Sequence, residues 1–405
     1  MPPLSDHHVI PPGEILGVFG SGQLGRMFAL AAAQLGYRVW TFSPDSLSPA
    51  GQVCEREFIA DYTDLAAVRE FASQVAGITF EFENIPETTI QAAEALTRVR
   101  PAARVLGICQ HRLREKQFLA QRGIPHAPFL PVNSPAELEA AIRVIGLPAI
   151  LKTAGFGYDG KGQYRLHDAA DLSAAWASAA TPERILEGWV DFACEVSVLV
   201  ARGVDGQCVT WGVFENQHAR GILDVTQTPA RIDPQTAQVA TELACHVARQ
   251  IELCGLLCVE MFVTHAGEVL VNELAPRPHN SGHLTIEASV TSQFAQQVRL
   301  LTGLPLGETT LRQPTAMANL LGELWQSGTP NWSAACAIPG VQLHLYGKTE
   351  ALPGRKMGHL TAVAPTTSAA VDRVLLARQA LIQSTGSANS DNSPVSGTAT
   401  QSGRF

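Results

Sequence analysis

The stretch from Leu151 to Gln163 reads Leu-Lys-Thr-Ala-Gly-Phe-Gly-Tyr-Asp-Gly-Lys-Gly-Gln and continues an apolar run that starts at Leu147. It holds four glycines and two lysines within thirteen residues. Glycine lets backbone N–H groups approach an anion closely, and lysine supplies point charges for phosphate. A strand followed by a glycine-rich, cationic loop therefore predicts a lid over a nucleotide triphosphate. The loop does not match the Walker A pattern G-x-x-x-x-G-K-[ST].

The bulk composition is typical of a soluble globular enzyme. The 405 residues are 46% hydrophobic and 16% charged, which predicts two or three domains around a substantial core. A net charge of −8 without a Lys/Arg cluster argues against nucleic acid or an anionic membrane as a partner. No apolar run approaches the roughly 20 residues of a membrane span, and Met1 to Pro12 lack the apolar core of an export signal. We therefore expect a cytoplasmic protein.

The eight cysteines are scattered along the chain and form no C-x-x-C pair. Cys254 and Cys258 are four residues apart, without a His/Cys group at zinc-finger spacing after them. Most of the cysteines lie in apolar segments. We interpret them as reduced core residues, with a zinc site as the alternative.

The order of predicted elements divides the chain into segments. Residues 15–107 alternate strands and helices, which predicts a parallel sheet covered by helices. A mixed pattern follows and ends in a hairpin that turns at His265 to Gly267. A smaller third unit comes next, and the last residues are rich in Ser, Thr, Gly and Asn, which predicts disorder. We expect an N-terminal extension (1–13), a Rossmann-like domain (14–108), a second domain (109–308, with a lid subdomain at about 145–215), a C-terminal domain (309–384) and a disordered tail (385–405).

The segment Gly20 to Gly25 matches G-x-G-x-x-G between a predicted strand and a predicted helix. A dinucleotide site would need an acidic residue at the end of the second strand, but Asp45 comes late, after a proline. Three interpretations stay open: a dinucleotide site, an anion or substrate site at the helix terminus, and tight strand–helix packing.

Pairs of carboxylates stand at the ends of predicted strands. Glu81 and Glu83 have strand spacing i, i+2, so we expect both on one face at the ligand-binding edge of the sheet. Glu187 and Glu195 flank a segment whose backbone could bind an adenine edge; either carboxylate could bind the ribose or the purine amino group. A solvated carboxylate is the alternative at each position.

The hairpin over residues 258–274 carries a stronger signal. Glu260 and Glu273 lie in apolar sequence on its two strands, and Asn272 adds an oxygen. A charged carboxylate among Val, Met and Leu needs a partner. Mg²⁺ takes one or two carboxylates together with substrate phosphates, so we predict a magnesium–triphosphate site. Two carboxylates that face water are the alternative.

Anion-binding residues follow the hairpin. Residues 275–283 combine two prolines with Arg277, His279 and Asn280, a dense set of donors beside the predicted metal site. In the last domain, Gly/Pro-rich segments carry further cations, which favours a phosphate clamp over a solvated basic face; these are Lys348, Arg355 and Lys356.

Four motifs together are identified as those of the ATP-grasp superfamily and, within it, of the 5-(carboxyamino)imidazole ribonucleotide synthases: Gly20–Met27, Gly157–Gln163, Asn272–His283 and Pro353–His359. The resemblance runs from about residue 14 to 380. It implies an α/β ATP-grasp fold with a Rossmann-like pre-ATP-grasp domain and a small C-terminal domain. It also implies ATP, bicarbonate and aminoimidazole ribonucleotide as substrates, Mg²⁺ (with Mn²⁺ as an alternative) as the metal, and a homodimer.

The resemblance further assigns roles residue by residue. It places ATP on Arg112, Lys152, Gly157, Tyr158, Asp159, Gly160, Lys161, Gly162, Gln163, Glu187, Gly188, Trp189, Val190, Glu195, His218, Asn272 and Glu273. It places the ribonucleotide on Ser21, Gln23, Glu81, Glu83, Tyr158, Lys161, Lys348, Arg355 and Lys356. The metal falls to Glu260 and Glu273, and bicarbonate and carboxyphosphate fall to Arg277, His279 and Asn280.

Three rival functions remain. One is a sibling ATP-grasp enzyme, such as a glycinamide ribonucleotide ligase or a formate-using transformylase. Another is a nicotinamide-dependent oxidoreductase built on the first glycine motif, against which the late acidic residue argues. The third is a non-catalytic nucleotide sensor. The predicted metal pair (Glu260 and Glu273) and the anion loop (residues 275–283) both disfavour it.

Overall fold

In this computed structural model, residues 8–155, 162–178, 183–326 and 328–382 are described. The predicted tail, 385–405, lies outside these residues. So do five of the predicted lid residues, Gly157, Tyr158, Asp159, Gly160 and Lys161.

The first sheet is parallel, with strand order β3-β2-β1-β4-β5. Its strands are β1 (Ile15–Phe19), β2 (Arg38–Ser43), β3 (Arg56–Ile59), β4 (Gly77–Phe80) and β5 (Arg98–Val99), and the helices between and after them are α1 (Gln23–Gln34), α2 (Leu65–Ala72), α3 (Glu87–Glu94) and α4 (Ala103–Cys109). The strand order reverses between β1 and β4, so the segments after these two strands meet at a topological switch point. The sheet thereby confirms the predicted βαβ pattern.

A small antiparallel sheet follows, with strand order β6-β9-β7-β8. Its strands are β6 (Phe129–Val132), β7 (Ala149–Thr153), β8 (Gln163–Leu166) and β9 (Arg184–Gly188). The helices of this region are α5 (Arg112–Gln121), α6 (Pro135–Ile145) and α7 (Asp171–Ser178). The sheet spans 129–188 rather than the expected 145–215, because β6 returns to pair with β9 whereas the next strand joins another sheet.

The large sheet is antiparallel, with strand order β14-β13-β10-β11-β12-β15-β17-β16. Its strands are β10 (Phe192–Arg202), β11 (Cys208–Ala219), β12 (Ile222–Thr228), β13 (Gly255–Thr264), β14 (Val269–Ala275), β15 (Thr315–Leu321), β16 (Val341–Leu345) and β17 (Lys356–Val363). Its helices are α8 (Pro234–Gln250), α9 (Thr285–Ala288), α10 (Gln293–Thr302), α11 (Trp332–Cys336) and α12 (Thr367–Ala380), with 3-10 turns at Asn280–Gly282 and Gly322–Trp325.

The strands of the expected C-terminal domain extend this large sheet. Val225 of β12 is paired with Ala318 of β15, so the sheet runs without a break from one unit into the other. Sequence reading missed β15 because its seven residues, Thr-Ala-Met-Ala-Asn-Leu-Leu, show no alternation; six of them are buried. The third unit therefore shares its sheet with the second.

Two further expectations concern the cysteines and the membrane. Of the eight free cysteines only Cys109 and Cys258 are buried, and Cys336 is exposed, so the interpretation of all of them as core residues was too broad.

Among the described helices, none combines the length and the apolar character that a membrane crossing requires.

Candidate active site

The backbone N–H groups of the glycine loop after β1 bind a carboxylate of the same chain, that of Glu81. The backbone N–H of Gly22 donates to Oε1 of Glu81, and that of Gly25 donates to Oε2 at 2.6 Å. Gly20 has φ +106, and a Cβ there would overlap the Glu81 side chain. Burial raises the pKa of Glu81, and the two N–H donors offset this only in part. The N–H groups that a pyrophosphate would need are thus bonded to a carboxylate, which argues against a dinucleotide site.

Glu81 and Glu83 follow the end of β4 at Phe80 and make different contacts. Glu81 is bonded to the glycine loop, whereas Glu83 Oε1 lies 2.8 Å from Nε of Arg277. Their common face at this edge stays a prediction. Of the other residues predicted at this edge, Ser21 is buried and its Oγ accepts from Ser43 at 2.7 Å. Gln23 is the first residue of α1.

The predicted adenine side lies where β7 and β9 are neighbours. Nζ of Lys152 donates to Oε2 of Glu187 at 2.8 Å, and Nη1 of Arg112 donates to the Thr153 carbonyl at 2.8 Å. Burial alone would raise the pKa of Glu187, but Lys116 and Lys152 outweigh burial and lower it to about 2. The carboxylate is therefore ionised and held in place.

The other oxygen of this carboxylate is open. Oε1 of Glu187 is buried and has no hydrogen-bond partner in the part of the chain that the structure describes. Gly188, Trp189 and Val190 continue from it toward β10, and the Trp189 side chain is partly exposed. Gly162 and Gln163, the described end of the lid loop, lie beside β7, where Gln163 is paired with Lys152.

Glu195 and His218 face each other on the neighbouring strands β10 and β11. Nδ1 of His218 and Oε2 of Glu195 form a close ion pair, and each side chain is about a quarter exposed. Burial lowers the pKa of His218, but the bond to Glu195 outweighs it and raises the pKa. Two residues that were both predicted to bind the nucleotide, Glu195 and His218, are thus bonded to each other.

The predicted metal ligands are opposite each other on the hairpin. Glu260 of β13 is paired with Glu273 of β14, and the register shifts next to them, so that Asn272 has no residue opposite it. Burial and the Glu260 charge raise the pKa of Glu273. Among the described residues, none makes a hydrogen bond or an ion pair with the Glu273 carboxylate. The charges of Arg112 and Lys152 offset the rise in pKa only in part. Two facing carboxylates whose repulsion is not fully compensated suit a hard divalent cation that takes its other ligands from phosphate.

The anion loop is bonded to this carboxylate pair. Nε2 of His279 lies 2.8 Å from Oε1 of Glu260, and Nδ1 accepts the backbone N–H of Ser281 at 3.3 Å. Burial lowers the pKa of His279, but Cys258 and Glu260 outweigh burial and raise it to about 10. In either protonation state, Nε2–H of His279 donates to the Glu260 carboxylate.

A chain of buried polar groups supports the His279 ring from behind. Thr226 Oγ1 donates to Oδ1 of Asn216, whose Nδ2 donates to Oγ of Ser197, each at 3.0 Å. Ser197 Oγ lies 2.8 Å from Oγ of Ser281, which in turn lies 2.8 Å from Nδ1 of His279. Three adjacent strands thus orient one imidazole.

Asn280 is bonded to the C-terminal part of the sheet. Its Nδ2 donates to Oδ1 of Asn319 at 3.1 Å, and Nδ2 of Asn319 donates back to Oδ1 of Asn280 at 2.6 Å. Both residues are buried. These bonds hold the loop against β15, while the contact of Asn280 with bicarbonate stays a prediction.

The predicted phosphate clamp faces the glycine loop. Lys348 acts on the Glu81 carboxylate by lowering its pKa, and its Nζ donates to the Lys356 carbonyl at 2.7 Å. Arg355 is directed differently: its Nη1 donates to the Glu350 carbonyl at 3.1 Å, and the side chain is 39% exposed. Nε2 of Gln52 donates to the Gly347 carbonyl at 2.7 Å and connects the first sheet to the clamp.

Three family models match successive parts of the chain. They are the ribonucleotide synthetase preATP-grasp domain (residues 14–110), the ATP-grasp domain (117–294) and the phosphoribosylaminoimidazole carboxylase C-terminal domain (315–373). N5-carboxyaminoimidazole ribonucleotide synthase of Bacillus subtilis (strain 168) is 42% identical over 353 residues, which cover 87% of this chain and 92% of that protein. The chain belongs to the N5-carboxyaminoimidazole ribonucleotide synthase family.

Solved structures of this synthase family have the same fold. The ADP complex of purK, an N5-carboxyaminoimidazole ribonucleotide synthetase, superposes with a TM-score of 0.88 at 41% identity, over 92% of this chain and 98% of that one. The Aspergillus clavatus synthase in complex with ADP and 5-aminoimidazole ribonucleotide gives 0.84 at 29% identity, over 91% and 98%. The predicted ATP-grasp fold and the ligase class are confirmed.

Several residues of this synthase site escaped the sequence analysis. Glu115 and Lys116, buried on α5, contact the backbone on either side of Glu273. Their signal was an opposite-charge pair within the apolar spacing of Leu113 and Phe118. Asn319 gave no sequence signal, because the strand that carries it, β15, was not predicted.

Proposed function

We propose that the chain catalyses the ATP-dependent carboxylation of 5-aminoimidazole ribonucleotide to N5-carboxyaminoimidazole ribonucleotide. The observation that carries the proposal is the carboxylate pair Glu260 and Glu273, paired across one hairpin and joined by His279 to the anion loop. A phosphoryl-transfer site and a binding site for the acceptor anion then adjoin. The family membership supports the same reaction.

ATP would lie between the small sheet and the large sheet. We assign the base to the segment after Glu187, whose open Oε1 is a buried acceptor for an amino group. Lys152 and Arg112 would hold phosphate oxygens, and the Glu195–His218 pair would hold the ribose. Glu187 and Lys152 lie near the ends of β9 and β7, Arg112 is the first residue of α5, and Glu195 and His218 lie on β10 and β11.

We assign Mg²⁺, with Mn²⁺ as an alternative, to Glu260 and Glu273, with Asn272 beside them. When bound, the ion would neutralise charge on the transferring phosphoryl group. The raised pKa of Glu273, which Arg112 and Lys152 lower only in part, supports this assignment.

Bicarbonate is assigned to Arg277 and His279, with Asn280 holding the loop. A bicarbonate oxygen would attack the γ-phosphorus of ATP, forming carboxyphosphate and releasing ADP. The guanidinium of Arg277 would orient the anion, and Nε2–H of His279 keeps Glu260 in place. A closed site must then exclude water, since carboxyphosphate hydrolyses readily.

The ribonucleotide is assigned to the cleft between the glycine loop and the clamp. Its amine would attack the carboxyl carbon of carboxyphosphate and release inorganic phosphate and a proton. Lys348 and Lys356 would bind its phosphate, and Glu81, fixed by the loop N–H groups, would accept from ribose hydroxyls. Ser21, Gln23, Glu83, Arg355 and the lid residues Tyr158 and Lys161 complete the assignment.

The remaining assignments rest on the resemblance. We propose a homodimer in the cytoplasm and retain the domain boundaries 14–108, 109–308 and 309–384, which the three family matches support. Sedimentation velocity tests the dimer, because a monomer has a mass of 43.3 kDa.

The function is tested by ADP release in a set of omission reactions. We expect release to require both bicarbonate and aminoimidazole ribonucleotide. An ATPase rate that does not change when the ribonucleotide is left out would contradict the proposal. Replacing these substrates by formate or glycinamide ribonucleotide tests the sibling enzymes, and titration with NAD(H) tests the oxidoreductase.

A further inference from the structure

Glu115 and Lys116 are consecutive ionisable residues of α5, and both are buried beneath the carboxylate hairpin. Their exposed fractions are 2% and 1%. Ionisable groups at such depth are costly to bury unless strongly bonded partners compensate them. The identity of those partners indicates what the two residues do.

Both residues are bonded to the backbone of β14. Nζ of Lys116 donates to the carbonyl of Asn272 at 2.7 Å, and Oε2 of Glu115 accepts from the N–H of Leu274 at 2.8 Å. These groups belong to the two peptide units that flank Glu273. Helix α5 is therefore hydrogen-bonded to β14 on both sides of Glu273, the carboxylate assigned to the metal.

These bonds reach β14 at the position where its pairing with β13 is irregular. Glu260 is opposite Glu273, but Met261 is already opposite Val271, so Asn272 has no residue across from it. A bulge of this kind redirects the neighbouring side chains. The Lys116 bond fixes the Asn272 carbonyl, and with it the direction in which Glu273 leaves the strand.

The Lys116 ammonium also lies near Glu187, at the predicted adenine site. Nζ of Lys116 lies 3.9 Å from Oε2 of Glu187, the oxygen that accepts from Lys152 at 2.8 Å. Lys116 thus touches the carboxylate next to the base site and the strand that carries the metal carboxylate.

We propose that Lys116, supported by Glu115, is a positioning residue that sets the metal carboxylate Glu273 relative to the nucleotide site. The inference rests on the proposed function, because it needs a nucleotide and a divalent cation in this cleft. Its consequence is specific: Lys116 determines how much Mg²⁺ strengthens nucleotide binding, and it leaves the ribonucleotide site unaffected.

The test measures ADP affinity by calorimetry, without Mg²⁺ and with saturating Mg²⁺. In wild type we expect Mg²⁺ to tighten ADP binding. In Lys116→Met that gain is expected to fall about tenfold, the usual range for residues that orient a metal ligand. Lys356→Met is the matched control, with the opposite pattern: the gain is retained while KM for the ribonucleotide rises.

Each outcome decides a separate question. If folded Lys116→Met keeps the wild-type gain, or if its KM for the ribonucleotide rises as it does in Lys356→Met, the positioning role is overturned. If wild type itself shows no Mg²⁺-linked gain, the proposed function fails instead. Should Lys116→Met not fold, Lys116→Gln, which ends one bond short of the Asn272 carbonyl, is judged by the same results.

Discussion

Two buried carboxylates of the cleft are compensated in opposite ways. Glu187 lies between Lys116 and Lys152, which lower its pKa to about 2 against the effect of burial. Glu273 faces another carboxylate, and its pKa is raised by burial and by Glu260. The first arrangement stabilises the folded protein by itself, whereas the second is favourable only when a cation joins it.

Replacing Glu273 by Gln should therefore separate activity from stability. We expect turnover to be lost and the thermal midpoint of the metal-free protein to be kept or raised, since a neutral amide removes the repulsion from Glu260. ADP formation and differential scanning fluorimetry measure the two effects. Glu268→Gln, at the exposed turn of the same hairpin, is the control and should leave both unchanged; an active Glu273→Gln would remove this residue from the metal site.

Glu115 gives a pH prediction. Burial, only partly offset by Lys116, raises its folded pKa to about 8 from 4.5. The folded state then binds more protons between these values, so the stability from this group is complete below pH 4.5 and is lost as the pH rises to about 8.

The Glu115→Gln variant has no titrating group at this position. Its unfolding free energy should therefore increase relative to that of wild type as the pH rises. We expect the difference in unfolding free energy, variant minus wild type, to grow by at most about 1.4 kcal/mol per pH unit across that window. Urea unfolding of the metal-free proteins at pH 5, 7 and 9 measures it. A difference that stays constant with pH would show that Glu115 is ionised throughout.

At the scale of elements, the glycine loop and the segment after β4 form one unit. Gly20 has φ +106, and a side chain there would overlap Glu81; Gly13 has φ +96, and a Cβ at that position would meet no described atom within 4 Å. Both alanine substitutions meet backbone strain of about 1–2 kcal/mol. Only Gly20→Ala adds a clash, which typically costs about 1–3 kcal/mol more.

The prediction is that Gly20→Ala loses more unfolding free energy than Gly13→Ala and also raises KM for the ribonucleotide. Urea titration and initial-rate kinetics check the two statements. Equal losses in the two variants would mean that Glu81 moves away freely and is not held by the loop.

Sequence reading located elements well where the pattern is local. The strands before both glycine loops and the β13–β14 hairpin were predicted where the structure has them. It failed where pairing is distant: β6 with β9, and β12 with β15, bring together residues far apart in the chain. The contacts of Asn319 depend on the pairing of β12 with β15, so periodicity alone could not have given them.

At the scale of the molecule, a polar bridge through Gln52 joins the first sheet to the clamp. Gln52 accepts from Nη1 of Arg26 at 3.0 Å and donates to the Gly347 carbonyl at 2.7 Å. We assign the ribonucleotide to the cleft between these two parts, so we expect the bridge to control the width of that cleft.

Gln52→Ala should widen the cleft without touching the nucleotide site. We expect KM for the ribonucleotide to rise about two- to tenfold, the equivalent of one hydrogen bond, with KM for ATP unchanged. Initial-rate kinetics measure both constants. Gln74→Ala, which removes a comparable surface bond to the Glu70 carbonyl, is the control; a parallel rise in KM for ATP would contradict the local role of Gln52.

We propose that one cleft phosphorylates bicarbonate and passes its carboxyl group to the ribonucleotide amine. The most direct measurement is turnover with ¹⁸O-labelled bicarbonate, followed by the ³¹P NMR isotope shift of the inorganic phosphate. We expect one bicarbonate oxygen in each phosphate released, because amine attack on carboxyphosphate leaves that oxygen on phosphorus. Phosphate that carries oxygen only from water would contradict the claim.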